Sequence, residues 1–349
     1  MGRRVLADTL LAAILAVLLV LGAGCSGKTA AQKSSPPPAG EQKPASVQQE
    51  VVLKAVTAWP EKIKDNAGFF FIRDEVNKAG QGKVRIEYLG GPEVIPAMEQ
   101  IKAVQSGAVD MAWLSAAYTV SVVPEANALK LSPFTPQEER QNGVYDFFNR
   151  IFQQKANAVY LGRGMPGVSF RLYTSVPIAH IGDFKGKPIR VTPNYRDFVQ
   201  ALGASPVTMD PGEVYSAMER GVVVGYGWPV FGISDWGWDA VTKYAVEPSF
   251  YQVDTIGLVN REKWNALSDE AKKLLTDTAV AMEGKMQEYF KELIAADGQK
   301  LAEKGIKVVQ LPPDEAETYL KTAYEAVWKQ VLQACPENGP EMQRLLTKK

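Results

Sequence analysis

Chemistry in this chain has to be built from a narrow set of side chains. Histidine occurs once, as His180, and cysteine twice, as Cys25 and Cys335, in 349 residues. A His/Cys zinc site cannot be assembled from that set. A Cys-His nucleophile pair would have to join His180 to Cys335, which no local pattern supports. There is no G-x-G-x-x-G, no Walker A loop, no G-x-S-x-G elbow and no H-E-x-x-H. Gly90-Gly91-Pro92 and Gly162-Arg163-Gly164 are turn glycines outside any phosphate-loop context. Catalysis would rest on carboxylates alone, and Asp110, Asp183, Asp210 and Glu213 read more simply as caps, turns or solvated charges. Arginine remains as a source of chemistry: its planar guanidinium offers two parallel N–H donors and keeps its charge when desolvated. Bulk charge is balanced, 39 Lys+Arg against 39 Asp+Glu, so no basic nucleic-acid footprint is present.

The N-terminus carries Arg3-Arg4, an apolar run from about Leu10 to Leu21, and then Gly22-Ala23-Gly24-Cys25. A charged start, about a dozen apolar residues and small residues before a cleavage point describe a secretory signal peptide over 1–24, too short for a spanning helix. Cys25 directly after the small residues resembles a bacterial lipoprotein signal, in which that cysteine is acylated and becomes the mature N-terminus. Gly22 stands where a large aliphatic residue is usual, with Leu21 one step further out. Without 1–24 the chain keeps 37 basic and 38 acidic side chains, so the balance does not come from the signal. A lipidated Cys25 leaves Cys335 alone and no intrachain disulfide. Residues 25–50, with three consecutive prolines and little to bury, read as a disordered tether spanning on the order of 25–30 Å.

The length of the rest suits two domains. In the first, a strand at Val51–Val56 precedes a helix through Phe69–Lys78, a strand at Lys83–Leu89, a helix from about Val94 to Ser106 stopped by Gly107, and a strand at Val109–Trp113. This order predicts an α/β domain with a largely parallel sheet. A second unit starts near Val168: strand Pro188–Val191, helix Arg196–Leu202, strand Pro206–Met209, a helix capped by Asp210-Pro211 and stopped by Gly221, and strand Val222–Val224. Residues 103–113 and 217–227 echo each other as helix, glycine stop and apolar strand running into aromatics. Two similar lobes facing each other would define a cleft at their strand ends. Ser268-Asp269-Glu270 caps a helix that continues to about Lys304, with Leu275, Met282, Met286, Tyr289 and Leu293 on one stripe. Some 35 residues at about 1.5 Å each give about 50 Å, enough to cross both lobes.

The stretch Arg171–Pro229, RLYTSVPIAHIGDFKGKPIRVTPNYRDFVQALGASPVTMDPGEVYSAMERGVVVGYGWP, resembles the solute-binding proteins of tripartite ATP-independent periplasmic (TRAP) transporters. The family pattern runs R…PI…DFKG-x-x-IR-V…GA-x-P-V…EVY-x-A-x-x-x-G-V-V-x-G…P. The resemblance covers about 51–340, including Gly91-Pro92, Gly107-Ala108-Val109-Asp110, Pro124-Glu125 and Trp264-Asn265-Ala266-Leu267-Ser268. It implies an α/β, two-lobe periplasmic-binding-protein-like fold with a central cleft, hinge strands and a long helix spanning both lobes. On that reading 51–167 with about 253–290 form one lobe, and 168–252 with about 291–349 form the second lobe and the C-terminal helices.

The resemblance also implies site roles. Arg190 sits where the family's arginine grips the ligand carboxylate bidentately, and Arg171 where a second arginine often contacts the same ligand. Tyr226 and Trp228 lie in the pocket loop after Gly-Val-Val-x-Gly. Ser115 and Tyr118 align with ligand-reaching positions, Trp59 and Trp113 sit at strand ends facing the cleft, and Asn194 follows the Arg190 strand. Trp228 replaces a polar residue of some members and Val224 an acidic one, which favours a ligand with an apolar or flat portion over a heavily hydroxylated sugar acid. Trp236 and Trp238 read as packing residues. The implied function is non-enzymatic: capture of a small organic carboxylate by lobe closure and delivery to TRAP permease subunits driven by an ion gradient. The protein would be exported, on the periplasmic or cell-surface face of a bacterial membrane and held by its N-terminal lipid. No cofactor and no nucleic-acid partner is implied, while a ligand-bridging metal ion, used by some relatives, stays open. The alternatives are a substrate-binding lipoprotein of an ATP-driven (ABC) importer, a periplasmic hydrolase using paired carboxylates, and a sensory receptor.

Overall fold

The computed structural model describes residues 50–348. The signal segment, Cys25 and nearly all of the tether expected from the sequence lie outside them. Eleven strands follow one another in the described chain: β1 (Val51–Thr57), β2 (Val84–Gly90), β3 (Met111–Ser115), β4 (Ala158–Arg163), β5 (Ser169–Thr174), β6 (Pro188–Val191), β7 (Ser205–Thr208), β8 (Gly225–Pro229), β9 (Tyr244–Gln252), β10 (Thr255–Asn260) and β11 (Lys307–Gln310). They form two sheets, ordered β2-β1-β3-β10-β4 and β11-β9-β5-β8-β6-β7.

The sheets repeat one plan. In each, three parallel strands (β2, β1, β3 and β7, β6, β8) meet an antiparallel strand, β10 or β5, which in turn pairs antiparallel with β4 or β9. The echo between 103–113 and 217–227 is the matching step of this plan: a helix, a left-handed glycine and strand β3 or β8. The sheets are therefore mixed where the strand-helix alternation predicts largely parallel ones. Alternation along the chain cannot reveal a strand that arrives from the other lobe, and β5 and β10 both enter just after the chain has crossed between sheets. The two crossings, near 164–168 and 253–254, are joined by a bond from Val253 N–H to the Val168 carbonyl at 2.8 Å.

Two element bounds differ from the sequence reading for local reasons. The helix expected from Val94 begins with a 3-10 turn at Ala97–Glu99 and becomes α-helical at Gln100, because Pro96 is extended and starts it. The strand expected at Val222–Val224 begins instead at Gly225. Gly221 is left-handed, and the N–H groups of Val222 and Val223 both turn back to the Ala217 carbonyl to close the preceding helix.

The long helix spans Asp269–Glu303, capped by Ser268 Oγ accepting from Ala271 N–H at 3.2 Å. Its N-terminal half packs on the first lobe, where Glu283 meets Arg140. Its C-terminal half meets the second, where Phe290 stacks on Phe231 and Asp297 accepts from Gly232 N–H. Of the expected stripe Leu275, Met282 and Met286 are buried; Phe290 takes the place expected for Tyr289, which is exposed. The helix Pro313–Ala334 packs on β9, on the helix Arg196–Ala201 and on the first-lobe segment Pro124–Leu131, with Tyr251 Oη donating to the Ala323 carbonyl. The last helix, Gly339–Leu345, reaches back to the first lobe through Arg150 and Glu341 at 3.0 Å. No helix of the described residues is long and apolar enough to cross a membrane.

Candidate functional site

Between the sheets, against the crossing at Val253-Asp254, lies a narrow cavity of about 20 Å³ lined by Trp59, Asp65, Ser115, Tyr118, Phe170, Thr192, Asn194, Tyr195, Trp228, Pro229, Val253, Asp254 and Thr255. Both lobes contribute their strand ends: Trp59 follows β1, Ser115 ends β3, Thr192 follows β6, and Trp228 and Pro229 close β8. Five residues expected in the site, Trp59, Ser115, Tyr118, Asn194 and Trp228, meet here.

Arg190 lies beside this cavity on β6, fully buried. Its Nε donates to the Met209 carbonyl at 3.1 Å, and its Nη1 donates to Tyr195 Oη at 3.0 Å and to the Gly227 carbonyl at 3.4 Å. Tyr195 is a cavity residue, and its hydroxyl donates in turn to the same Gly227 carbonyl at 2.6 Å. Nη2 is buried with no hydrogen-bond partner, and the guanidinium carbon stands 5.9 Å from the Trp228 ring centre. Among the described residues no carboxylate lies within ion-pairing distance of Arg190, whereas Arg163, the other fully buried arginine, is paired with Glu139 at 3.0 Å. An uncompensated buried cation is costly, and an anion in the cleft offsets that cost. Trp228 Nε1 is a second buried donor without a partner.

The remaining expected residues are placed elsewhere. Arg171 is ion-paired with Glu247 of β9 and does not line the cavity. Tyr226 stacks on Tyr173 and meets Trp238 edge to face, with its hydroxyl at 2.6 Å from Thr242 Oγ1. Trp113 is fully buried; its Nε1 donates to the Asp65 carbonyl at 3.0 Å, and its ring lies under Gly164, where an added Cβ would come within 2.0 Å of it.

Several lining residues escaped the sequence reading, chiefly two acids. Asp254 lies at the crossing and is fully buried. Its carboxylate accepts from Ser115 Oγ at 2.6 Å and Ala117 N–H at 3.1 Å in the first lobe, and from Asn194 Nδ2 at 3.3 Å in the second. Burial raises its pKa against the opposing pull of Lys130. Lys130 is buried as well, bonded to Asn127 Oδ1 and the Asn194 carbonyl, and burial lowers its pKa to about 7. Asp65 precedes the helix Ala67–Ala79, and burial raises its carboxyl to about 7. The signal for Asp254 was available as an acid in the otherwise apolar run between β9 and β10. For Asp65 there was none, since Lys64-Asp65-Asn66 reads as a solvated helix start. Among the described residues no group of three or more His, Cys, Asp or Glu side chains is gathered to hold a metal.

This geometry, two repeated lobes closing on an arginine-backed cavity, meets its counterpart in known proteins. The family model "Bacterial extracellular solute-binding protein, family 7" (DctP) matches residues 57–334. The chain belongs to this family. Its recognition as a TRAP-type solute-binding protein, made on the Arg171–Pro229 motifs, is thereby supported, as is the two-lobe fold. Among curated relatives, the chain is 20% identical over 283 residues to a monocarboxylate 2-oxoacid-binding periplasmic protein of Nostoc sp., covering 78% of this chain and 77% of the relative. It is 24% identical over 250 residues to the ectoine-binding periplasmic protein TeaA of Halomonas elongata, covering 68% and 72%. A TRAP periplasmic solute-binding protein from Desulfovibrio salexigens with bound orotic acid superposes with a TM-score of 0.74 at 19% identity, covering 84% of this chain and 97% of that one.

Proposed function

We propose that this TRAP solute-binding protein captures a small organic carboxylate in the cavity beside Arg190, closing its lobes on it without covalent change and presenting the closed form to a membrane permease. The observation that carries the reading is the buried, unpartnered Nη2 of Arg190, a guanidinium with no carboxylate of its own. Tyr195 and the Gly227 carbonyl fix Nη1, so the free edge of the fork is pre-oriented for an anion. Aromatic walls from Trp59, Tyr118, Phe170, Tyr195 and Trp228 suit a flat or apolar ligand body. Relatives named for 2-oxoacids and ectoine, and a structural neighbour holding orotic acid, place compact carboxylates in the same fold.

A hydrolase with paired acids fits the cavity less well, because the Asp254 carboxylate is held by three donors. Attachment to the membrane through a lipid on Cys25, on the extracytoplasmic face, follows from the N-terminal pattern. A thermal-shift screen against small carboxylates tests the function: a ligand at 100 times its Kd stabilises by about 2.7 kcal/mol. Stabilisation by one or more carboxylates, recovered chemically unchanged, is expected. Turnover of the bound compound would refute the binding-only reading.

A further inference from the structure

The polar groups left over around the cavity are of two kinds. The donors without partners are Arg190 Nη2 and Trp228 Nε1, both carried by the second lobe. The acceptors facing the cavity are the carboxyl of Asp65, from the first lobe, which takes a bond from its own backbone N–H, and Asn194 Oδ1, buried without a partner. Asp65 is 2% exposed, and no basic side chain lies within 4.0 Å of it among the described residues. Its sequence neighbour Lys64 is engaged with Asp235 across the cleft at 2.9 Å. An acid buried against a ligand cavity with no cation of its own mirrors the situation of Arg190 on the opposite lobe.

We propose that the solute is a small zwitterion, whose carboxylate meets Arg190 and whose cationic N–H group meets Asp65. This rests on reading the cleft as the solute site and names the class of solute it takes. Charge balance favours it: with all four groups ionised, Arg190 and Lys130 balance Asp65 and Asp254, so a net-neutral ligand leaves the desolvated site neutral, while a dicarboxylate adds two negative charges to it. Trp59 and Tyr118, with ring centres 6.4 Å apart and tilted by 44°, supply aromatic surface for a cation next to Asp65. Asp254 is a poorer partner for that group, since Ser115, Ala117 and Asn194 already occupy it. The ligand then bridges the lobes with its dipole aligned across the closure, and neither end alone satisfies both walls.

The charged and titratable groups around Asp65 are Lys64, Asp235 and Tyr118, with Arg190 and Asp254 also neighbours of Tyr118. In the unliganded protein its carboxyl titrates at about 7. A cationic ligand selects the ionised form, so its affinity rises about tenfold from pH 6 to pH 8 as that form goes from a minor to the major species. An acid without a cationic group gains nothing over that range.

The test is calorimetric titration of matched acids: isonipecotate beside cyclohexanecarboxylate, L-proline beside cyclopentanecarboxylate, and further pairs of amino acids with the same skeletons lacking nitrogen. At least one zwitterion is expected to bind tenfold or more tighter than its nitrogen-free partner. Asp65→Asn, close to isosteric, should remove that gap while leaving the partner's affinity in place. The pH dependence of the unmodified protein gives the same answer without a substitution. Nitrogen-free acids that bind as tightly as the zwitterions, with binding lost in Arg190→Ala and kept in Asp65→Asn, overturn the inference and leave the carboxylate site standing. Binding of neither class overturns both.

Discussion

Replacing Asp254 with alanine strikes the point where the two lobes and the cavity meet. Three donors lose their acceptor: Ser115 Oγ, Ala117 N–H and Asn194 Nδ2. Lys130, buried and held through the Asn194 carbonyl, loses the negative charge that supports its own. Hydrogen bonds to a charged group contribute about 1.5–3 kcal/mol each, so three of them give a gross loss of roughly 5–9 kcal/mol. Water entering the space left by the carboxylate and a neutral Lys130 recover part of this, leaving a net cost of about 3–5 kcal/mol, the usual range for breaking a buried charged network. Urea denaturation at pH 7 of the wild type, Asp254→Ala, Lys130→Met and the double variant measures both the cost and the coupling. Asp254→Ala should lose about 3–5 kcal/mol, and the double variant should lose at least about 1 kcal/mol less than the sum of the singles. A loss below about 1 kcal/mol, or strict additivity, would refute the view of Asp254 and Lys130 as one charged network at the crossing.

Asp65→Asn should make the unliganded protein more stable at pH 8, with the gain shrinking as pH falls towards 4. The folded pKa of about 7 lies above the unfolded value of 3.8, so the stability this group carries is complete below about pH 4 and is lost as pH rises through 7. The full difference amounts to about 4 kcal/mol, of which melting curves at pH 5 and pH 8 should show about 2–3 kcal/mol. Gly227→Ala should weaken ligand binding without touching the ligand, because the added Cβ would stand 2.4 Å from the Tyr195 ring that holds Arg190. Calorimetry showing native affinity in that variant would remove Tyr195 as the positioning residue. Lys64→Ala removes an ion pair that joins the lobes at a partly exposed site, where such pairs contribute about 0–1 kcal/mol. It should lower affinity by less than about tenfold and make binding less salt-sensitive, as titration at 0.05 M and 0.5 M salt would show.

The elements that the sequence displays well are those whose signals are local. Ser268 with the acids after it announces the 35-residue helix, and the glycine stops at Gly107 and Gly221 place the two echoing helix-strand units. Where tertiary structure decides, the chain is silent. Nothing in Thr255–Asn260 says that it inserts antiparallel between β3 and β4, because its partners lie over 90 residues away. The site divides in the same way. Arg190, Ser115, Tyr118 and Trp228 are legible through the family resemblance, Trp59 through its place at a strand end, and Asn194 through its place after the Arg190 strand. Arg171 reads like a second anchor, yet Glu247, brought alongside it by the pairing of β5 with β9, takes up its charge. Tyr226 and Trp113 are aromatics at the right places in sequence whose rings are turned into packing. Asp65 sits in a charged run, and only the fold buries it.

Calorimetric titration of Arg190→Ala with a carboxylate that stabilises the wild type tests the central claim most directly. The variant leaves a desolvated carboxylate without its partner and should bind about 2–5 kcal/mol more weakly, which is roughly a 30-fold to several-thousand-fold rise in Kd. Arg190→Lys should recover only part of this, since one ammonium does not reproduce the fork. An Arg190→Ala protein that folds normally and binds the same carboxylate with wild-type affinity would contradict the account.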